Sequence, residues 1–332
     1  MRFFEQQEQA RAQTWRLLLL FALTVLGLVV AVNLALALTW RIVSFGGNGY
    51  PAYFFSVNTG MTLLFVLGGW WLETSSLDGG GEKLARRVGA REARPRLHEA
   101  EQRFCNIVEE LAIAASMKPP MPMVLQREEG INAFACGWDE DDAVVAVTQG
   151  ALDQLTRDEL QGLVAHEFSH IREGDTRLNM RLAGMVFGLE MVFNLGKRMC
   201  ETDENDNRTA LALPGFAIKW TGSLGWLAGR ALKAAVSRQR EFLADARAVQ
   251  FTRSKDGLGG VLRKVAGQQG DGVFMRQMHP SVQHMLLVDA AQPGRWFDSH
   301  PPLAERIRRI YGRAMPAMRA DDHAPTRPDA IF

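Results

Sequence analysis

Residues 17–40 carry no charged side chain, and no other stretch restricts the fold of this chain so strongly. As a helix, roughly 24 residues rise about 36 Å, enough to cross the hydrocarbon core of a bilayer. Arg16 and Arg41 bracket the run, and Trp40 sits at its end as an interfacial aromatic would. A second uncharged run, 42–72, has its apolar heart at 52–72 and closes on Trp70 and Trp71 before Glu73. These read as two transmembrane helices joined by the turn Gly46-Gly47-Asn48-Gly49. A cleaved leader is the competing reading, because Ala35-Leu36-Ala37 fits a cleavage site. The apolar run exceeds the usual ~7–15 residues, however, and a second run follows at once.

Lysine and arginine set the orientation. Arg2, Arg11 and Arg16 precede the first span, and the connecting loop has only Arg41. Lys83, Arg86, Arg87, Arg91, Arg94 and Arg96 follow the second. Both ends of the hairpin, and the chain after it, therefore belong in the cytoplasm. Three scattered cysteines, Cys105, Cys136 and Cys200, build no disulfide framework and agree with a reducing compartment. With 332 residues, a net charge of +1 and 47% hydrophobic residues, the chain is neither disordered nor a nucleic-acid binder working by bulk positive charge.

The organisation expected is an anchor over 1–75, a basic linker over 76–96 that starts at the flexible Asp78-Gly79-Gly80-Gly81, a folded domain over 97–312 and a loose tail over 313–332. Within the domain, Leu97–Met117 reads as a helix and Met121–Leu125, Asn132–Ala135 and Ala143–Thr148 as short strands. Thr156-Arg157-Asp158-Glu159 is a capping box that opens a helix ending at Gly174. Further helices are expected at about 231–252 and 301–312. Two apolar stretches, 182–196 and 209–229, contain Glu190 and Lys219 and flank the polar residues 201–207. They read as helices associated with the membrane, with buried helices of the folded domain as the alternative. The fold class is mainly α with a small β-sheet.

His166-Glu167-Phe168-Ser169-His170 is an H-E-x-x-H motif inside the capped helix. Chance would place one in fewer than about one in a hundred chains of this composition. The spacing stacks two imidazoles on one helix face, where both can reach one Zn2+, and Glu167 can take a proton from the zinc-activated water and pass it to the leaving amine. A third ligand is required. Glu190 lies 20 residues past His170 in apolar surroundings, whereas Glu241 has Asp245 one turn on to hydrogen-bond a ligating histidine. That carboxylate favours Glu241. The residues alone give amide hydrolysis.

HEFSH followed by REGDTRLNMRL, SRQREFLADA and SHPPLAERI, with the earlier Asn132-Ala133-Phe134-Ala135-Cys136-Gly137, resembles the HtpX-type and CAAX-prenyl-endopeptidase family of integral-membrane zinc metalloproteases. The resemblance covers about residues 132–309. It implies a zincin-type domain in which His166, His170 and Glu241 bind one zinc per chain, Glu167 is the catalytic base and Asp245 backs a ligand. It also implies that Asn132, Ala133 and Phe134 form the edge on which an extended substrate lies, and that His300 and Arg306 hold or polarise the scissile carbonyl. Its further implications are misfolded or membrane proteins as substrates and a place in the bacterial inner membrane with the catalytic domain in the cytoplasm. Ser299 departs mildly from the family's threonine-type residue. His279 and His284 are read as structural. A non-catalytic zinc-containing scaffold or holdase, or a processing peptidase with one substrate, is the alternative.

Overall fold

A computed structural model of the chain describes residues 2–47, 49–201, 212–270, 285–287 and 300–319. The chain divides into two units, one of residues 1–76 and 181–233, the other of residues 77–180 and 234–332.

In the first unit, α1 (Arg2–Val43) and α2 (Phe54–Ser76) form a hairpin. Both are long and apolar enough to cross a membrane, over Leu18–Val43 and Phe54–Ser76. Phe21, Val25, Leu28 and Val32 of α1 are buried, while Leu19, Leu23, Leu26, Val30 and Leu34 are exposed at helical spacing, as a lipid-facing stripe would be. Inside the hairpin, Asn33 Nδ2 donates to Thr59 Oγ1 at 3.0 Å. The unit also holds residues 181–199 of α7 (Asp175–Met199) and 212–233 of α8 (Ala212–Thr252). Gly188 of α7 presses against the backbone of α2 at Val66, and Gly222 of α8 against Phe193. Helices in an apolar medium approach this closely only through small residues. On α8, Leu213, Phe216, Trp220, Leu224 and Leu227 form an exposed apolar stripe.

Residues 182–196 and 209–229 were expected as separate helices, with a new one from about 231. Instead α8 runs unbroken from Ala212 to Thr252. The sequence turns from apolar to charged near Arg230, but Gly229 alone stands there as a breaker, and one glycine costs only about 1 kcal/mol.

The second unit is built on a four-stranded sheet of β1 (Arg91–Glu92), β2 (Met121–Leu125), β3 (Ala133–Cys136) and β4 (Val144–Thr148), in the order β1-β2-β4-β3. β2 and β4 are parallel, and the outer pairs are antiparallel. Around it pack α3 (Gly80–Arg87), α4 (Glu99–Ala115), α5 (Gln149–Gln154), α6 (Arg157–Arg172), α9 (Lys255–Gly270) and α10 (Leu303–Tyr311). Phe104, Ile107, Val108 and Leu111 of α4 meet Leu160, Leu163, Val164 and Phe168 of α6 in the core. The capping box at Thr156 is formed in both directions.

Residues 76–96, expected as a basic linker with a flexible glycine break, contain α3 and β1. Gly80 takes φ +75°, and a Cβ on Gly81 would collide with the carbonyls of Cys136 and Asp142. These glycines serve backbone conformation and close approach rather than flexibility. Beyond them, Arg91 bonds both oxygens of Glu101, at 2.5 and 2.9 Å, which ties β1 to α4. Residues 313–319, expected as part of the tail, lie on α9, where Met318 N donates to Arg263 O at 3.0 Å. The remainder of that tail, 320–332, lies outside the described residues.

α9 went unforeseen because its sequence, KDGLGGVLRKVAGQQG, is rich in glycine. Those glycines let α6 and α9 approach closely. A Cβ on Gly162 of α6 would stand 2.6 Å from the Gly257 carbonyl carbon. Replacing Gly162 with Ala must push the two backbones apart and should cost about 1–3 kcal/mol. Thermal unfolding followed by circular dichroism should show a lowered midpoint. An unchanged midpoint would refute this packing.

Candidate active site

Helix α6 carries His166, Glu167 and His170 on its buried side. His166 and Glu167 are each 1% exposed. Their Nε2 atoms place His166 and His170 3.2 Å apart. Glu241, from α8, completes a triangle, with Oε2 3.6 Å from His166 Nε2 and Oε1 3.5 Å from His170 Nε2. Among the described residues these three form a group able to hold a metal ion, their donor atoms lying within 4.8 Å of one another. Glu190 belongs to the other unit and is not part of the group.

The far side of each ring suits a group able to hold a metal. His170 Nδ1 stands 2.9 Å from Asp175 Oδ2. His166 Nδ1 stands 3.1 Å from Asp245 Oδ1, a close contact that is not a well-aimed hydrogen bond. A carboxylate only accepts, so a hydrogen on each Nδ1 is favoured, and a ring neutral in that form turns an Nε2 lone pair inward. Two lone pairs and a carboxylate facing one point repel unless a cation lies among them. The observed separations match the edges of a tetrahedron with bonds of ~2.0 Å, which are about 3.3 Å.

Electrostatics follow from burial and neighbours. Burial pushes the His166 imidazole down and keeps it neutral. For His170 burial acts the same way, but Glu241 and Glu167 outweigh it and the pKa rises. Burial alone would raise Glu241, yet His300 and Arg306 beside it hold it well below the usual carboxylate range. Glu167 differs: neither of its oxygens has a hydrogen-bond partner, and burial lifts it to about 8. The Ala135 backbone on β3 is near enough to favour its ionised form slightly.

The other expected residues fall as follows. His300 Nδ1 lies 3.2 Å from Glu241 Oε2, and neither ring nitrogen makes a hydrogen bond. Arg306 is fully buried and committed: Nε and Nη2 bond the two oxygens of Asp245 at 2.9 and 2.6 Å, and Nη1 bonds the Leu287 carbonyl at 3.0 Å. The same Nη1 stands 3.2 Å from Glu241 Oε2. Ala133 and Phe134 lie on β3 and Asn132 just before it; all three side chains are buried, and Asn132 Oδ1 accepts from the Ala133 amide. His279, His284 and Ser299 lie outside the described residues.

Asp175 was missed. It follows the helix-ending Gly174, whose φ of +72° turns the chain back, and it also contacts Arg240. The available signal was a carboxylate just past that glycine, five residues after His170.

The family model described as Peptidase family M48 matches residues 98–314, well over half of the chain. A protease HtpX homolog of Ligilactobacillus salivarius is 37% identical over 219 residues, 62% of this chain and 71% of that protein. One from Listeria welshimeri is 34% identical over 273 residues, 76% of this chain and 86% of its own length. Among solved structures, a crystal structure of S. mikatae Ste24p aligns with a TM-score of 0.43 and 14% identity, over 83% of this chain and 61% of that one. The family match spans every residue of the His-His-Glu group and both carboxylates behind it, so the chain belongs to peptidase family M48 and is a membrane metallopeptidase acting on polypeptides.

Proposed function

We propose that the chain is a zinc-dependent endopeptidase in which His166, His170 and Glu241 hold one Zn2+ and Glu167 is the general base. The observation that carries this reading is the buried triangle of two Nε2 atoms and one carboxylate beside an unpartnered glutamate. Two imidazoles, one carboxylate and no thiolate suit a catalytic zinc that keeps a position open. When bound, the zinc supplies Lewis acidity, which makes a water acidic near neutral pH and polarises a carbonyl. Glu167 takes the water's proton and delivers it to the leaving amine. Burial suits it to this task by keeping its carboxylate basic.

The surrounding residues have separate tasks. Asp175 and Asp245 fix the histidine tautomers. His300, with Nε2 unpartnered, donates to the scissile carbonyl oxygen. Arg306 is a positioning residue, because its hydrogen bonds already go to Asp245 and Leu287. It holds Asp245 against His166 rather than holding the substrate carbonyl. The arginine bias around the hairpin supports a peptidase unit on the cytoplasmic side of the membrane, and the proposed setting is a bacterial inner membrane with misfolded membrane proteins as substrates. Residues 1–75 anchor the chain, and 77–96 belong with the peptidase domain.

Zinc content and cleavage of an unfolded test protein, measured together on the detergent-purified protein, test the assignment. Glu167→Gln should keep one zinc and lose about 10²–10⁴-fold in rate. Full activity in that variant would end the proposal. Asp245→Asn should weaken zinc binding by about 10–100-fold, read by competition with a chelating dye.

Glu167 also gives a pH signature in the metal-free protein. Its folded pKa of about 8 exceeds the unfolded value of 4.5, so its contribution to stability is complete below about pH 4.5 and is lost as pH rises toward 8. Glu167→Gln removes that loss. In chelator, its melting-point advantage over wild type should therefore be larger at pH 8 than at pH 5, with a limiting slope of about 1.4 kcal/mol per pH unit. An equal difference at both pH values would contradict the buried, unpartnered carboxylate.

A further inference from the structure

β3 is an edge strand, and its outward side is the natural place for an extended substrate. That side is already engaged. Phe134 forms an antiparallel bridge with Leu286, and the Leu287 N–H donates to the Ala133 carbonyl at 3.0 Å. Leu286 and Leu287 are buried. The Leu287 carbonyl accepts from Arg306, which is bonded to Asp245 behind His166. The segment Met285–Leu287 is therefore a strap laid along the strand that Glu167 faces at Ala135. Along a strand, alternate residues turn their backbone groups to the same side, so Ala133 and Ala135 both point outward, and the bridge centred on Phe134 lies between them.

We infer that Met285–Leu287 is a specificity-determining strap that competes with the substrate strand for the outward edge of β3, so that the enzyme favours long unfolded polypeptides over short peptides. The inference rests on the endopeptidase reading above. Among the described residues the strap meets β3 through one bridge and the Leu287–Ala133 bond, a short stretch of pairing. A long extended chain running antiparallel past Ala133, Ala135 and on toward Gly137 gains more backbone bonds and displaces it. A short peptide gains no more than the strap already has and loses the competition. Because Arg306 holds the strap's carbonyl, displacement leaves the strap tethered beside the site, ready to return when product leaves.

The test uses the full-length zinc-loaded protein and a series of peptides of roughly 4, 8 and 16 residues around one cleavable bond. Leu287→Pro removes the N–H that bonds Ala133 but keeps the carbonyl that bonds Arg306. Leu287→Ala keeps the N–H and removes only side-chain bulk, so it controls for lost packing. Wild type and Leu287→Ala should favour the longest peptide over the shortest in kcat/KM by about tenfold or more, and Leu287→Pro should cut that ratio at least about fivefold, through faster cleavage of the short peptide. The same length ratio in both variants would overturn the strap. If Leu287→Pro does not fold, amide hydrogen exchange on Glu167→Gln decides the matter. Binding an unfolded protein should speed exchange at Met285–Leu287 about tenfold, whereas unchanged or slower exchange would overturn the inference. Failure of the endopeptidase reading is separate, since the wild type would then cleave no peptide of any length.

Discussion

Everything in the peptidase unit answers to one electrostatic constraint: two imidazole lone pairs and a carboxylate are held 3.2–3.6 Å apart in a place water scarcely reaches. Isolated buried charges are too costly to keep, so each must be paired or hold a metal. Around the triangle stand Glu167, Glu241, Asp175 and Asp245 against Arg240 and Arg306. Four carboxylates face two guanidinium groups, and a divalent cation makes up the difference. Without the cation the cluster keeps an excess of negative charge, and burial lifts the Glu167 pKa to about 8, so that a proton there removes part of it.

Such a cluster is useful only if the helices that carry it cannot shift. α6 is fixed at its start by Glu159, whose carboxylate accepts from the Thr156 amide at 2.9 Å and from the fully buried Lys264 of α9, also at 2.9 Å. Lys264 in turn donates to the Gln154 carbonyl, so the turn before α6, the helix itself and α9 share one ammonium. Near its other end, Arg172 bonds the Ala115 carbonyl of α4, and Glu173 pairs with Arg247 of α8. Removing one partner from a buried pair is far more damaging than never having had it. Glu241 and Asp245 lie one turn apart on α8, so a single helix brings both the third donor and the carboxylate behind His166.

The sequence was readable wherever chemistry is local. The His166–His170 spacing, the Thr156–Glu159 cap and β2 over Met121–Leu125 each depend on residues within a few positions of one another. The two long apolar helices were legible from the missing charges. Elements defined by close approach were not. Glycines at 80, 81, 257, 259 and 260 look like breaks in a one-dimensional reading, but Gly80 takes a positive φ, Gly81 and Gly257 let backbones touch, and Gly259 and Gly260 make room for the Tyr311 and Glu159 side chains. Long-range partners were equally silent: nothing near Leu287 announces that its amide meets Ala133 and its carbonyl meets Arg306. Arg306 was picked out by resemblance, but only its contacts show that Nε, Nη1 and Nη2 each already bond Asp245 or Leu287.

The central claim is that two imidazoles and one carboxylate share one zinc, and zinc K-edge X-ray absorption on the full-length protein tests it most directly. The account predicts a shell of nitrogen and oxygen at about 2.0–2.2 Å, with the outer scattering of two imidazole rings and no sulfur. A sulfur shell near ~2.3 Å, or an oxygen-only shell without imidazole scattering, would contradict it.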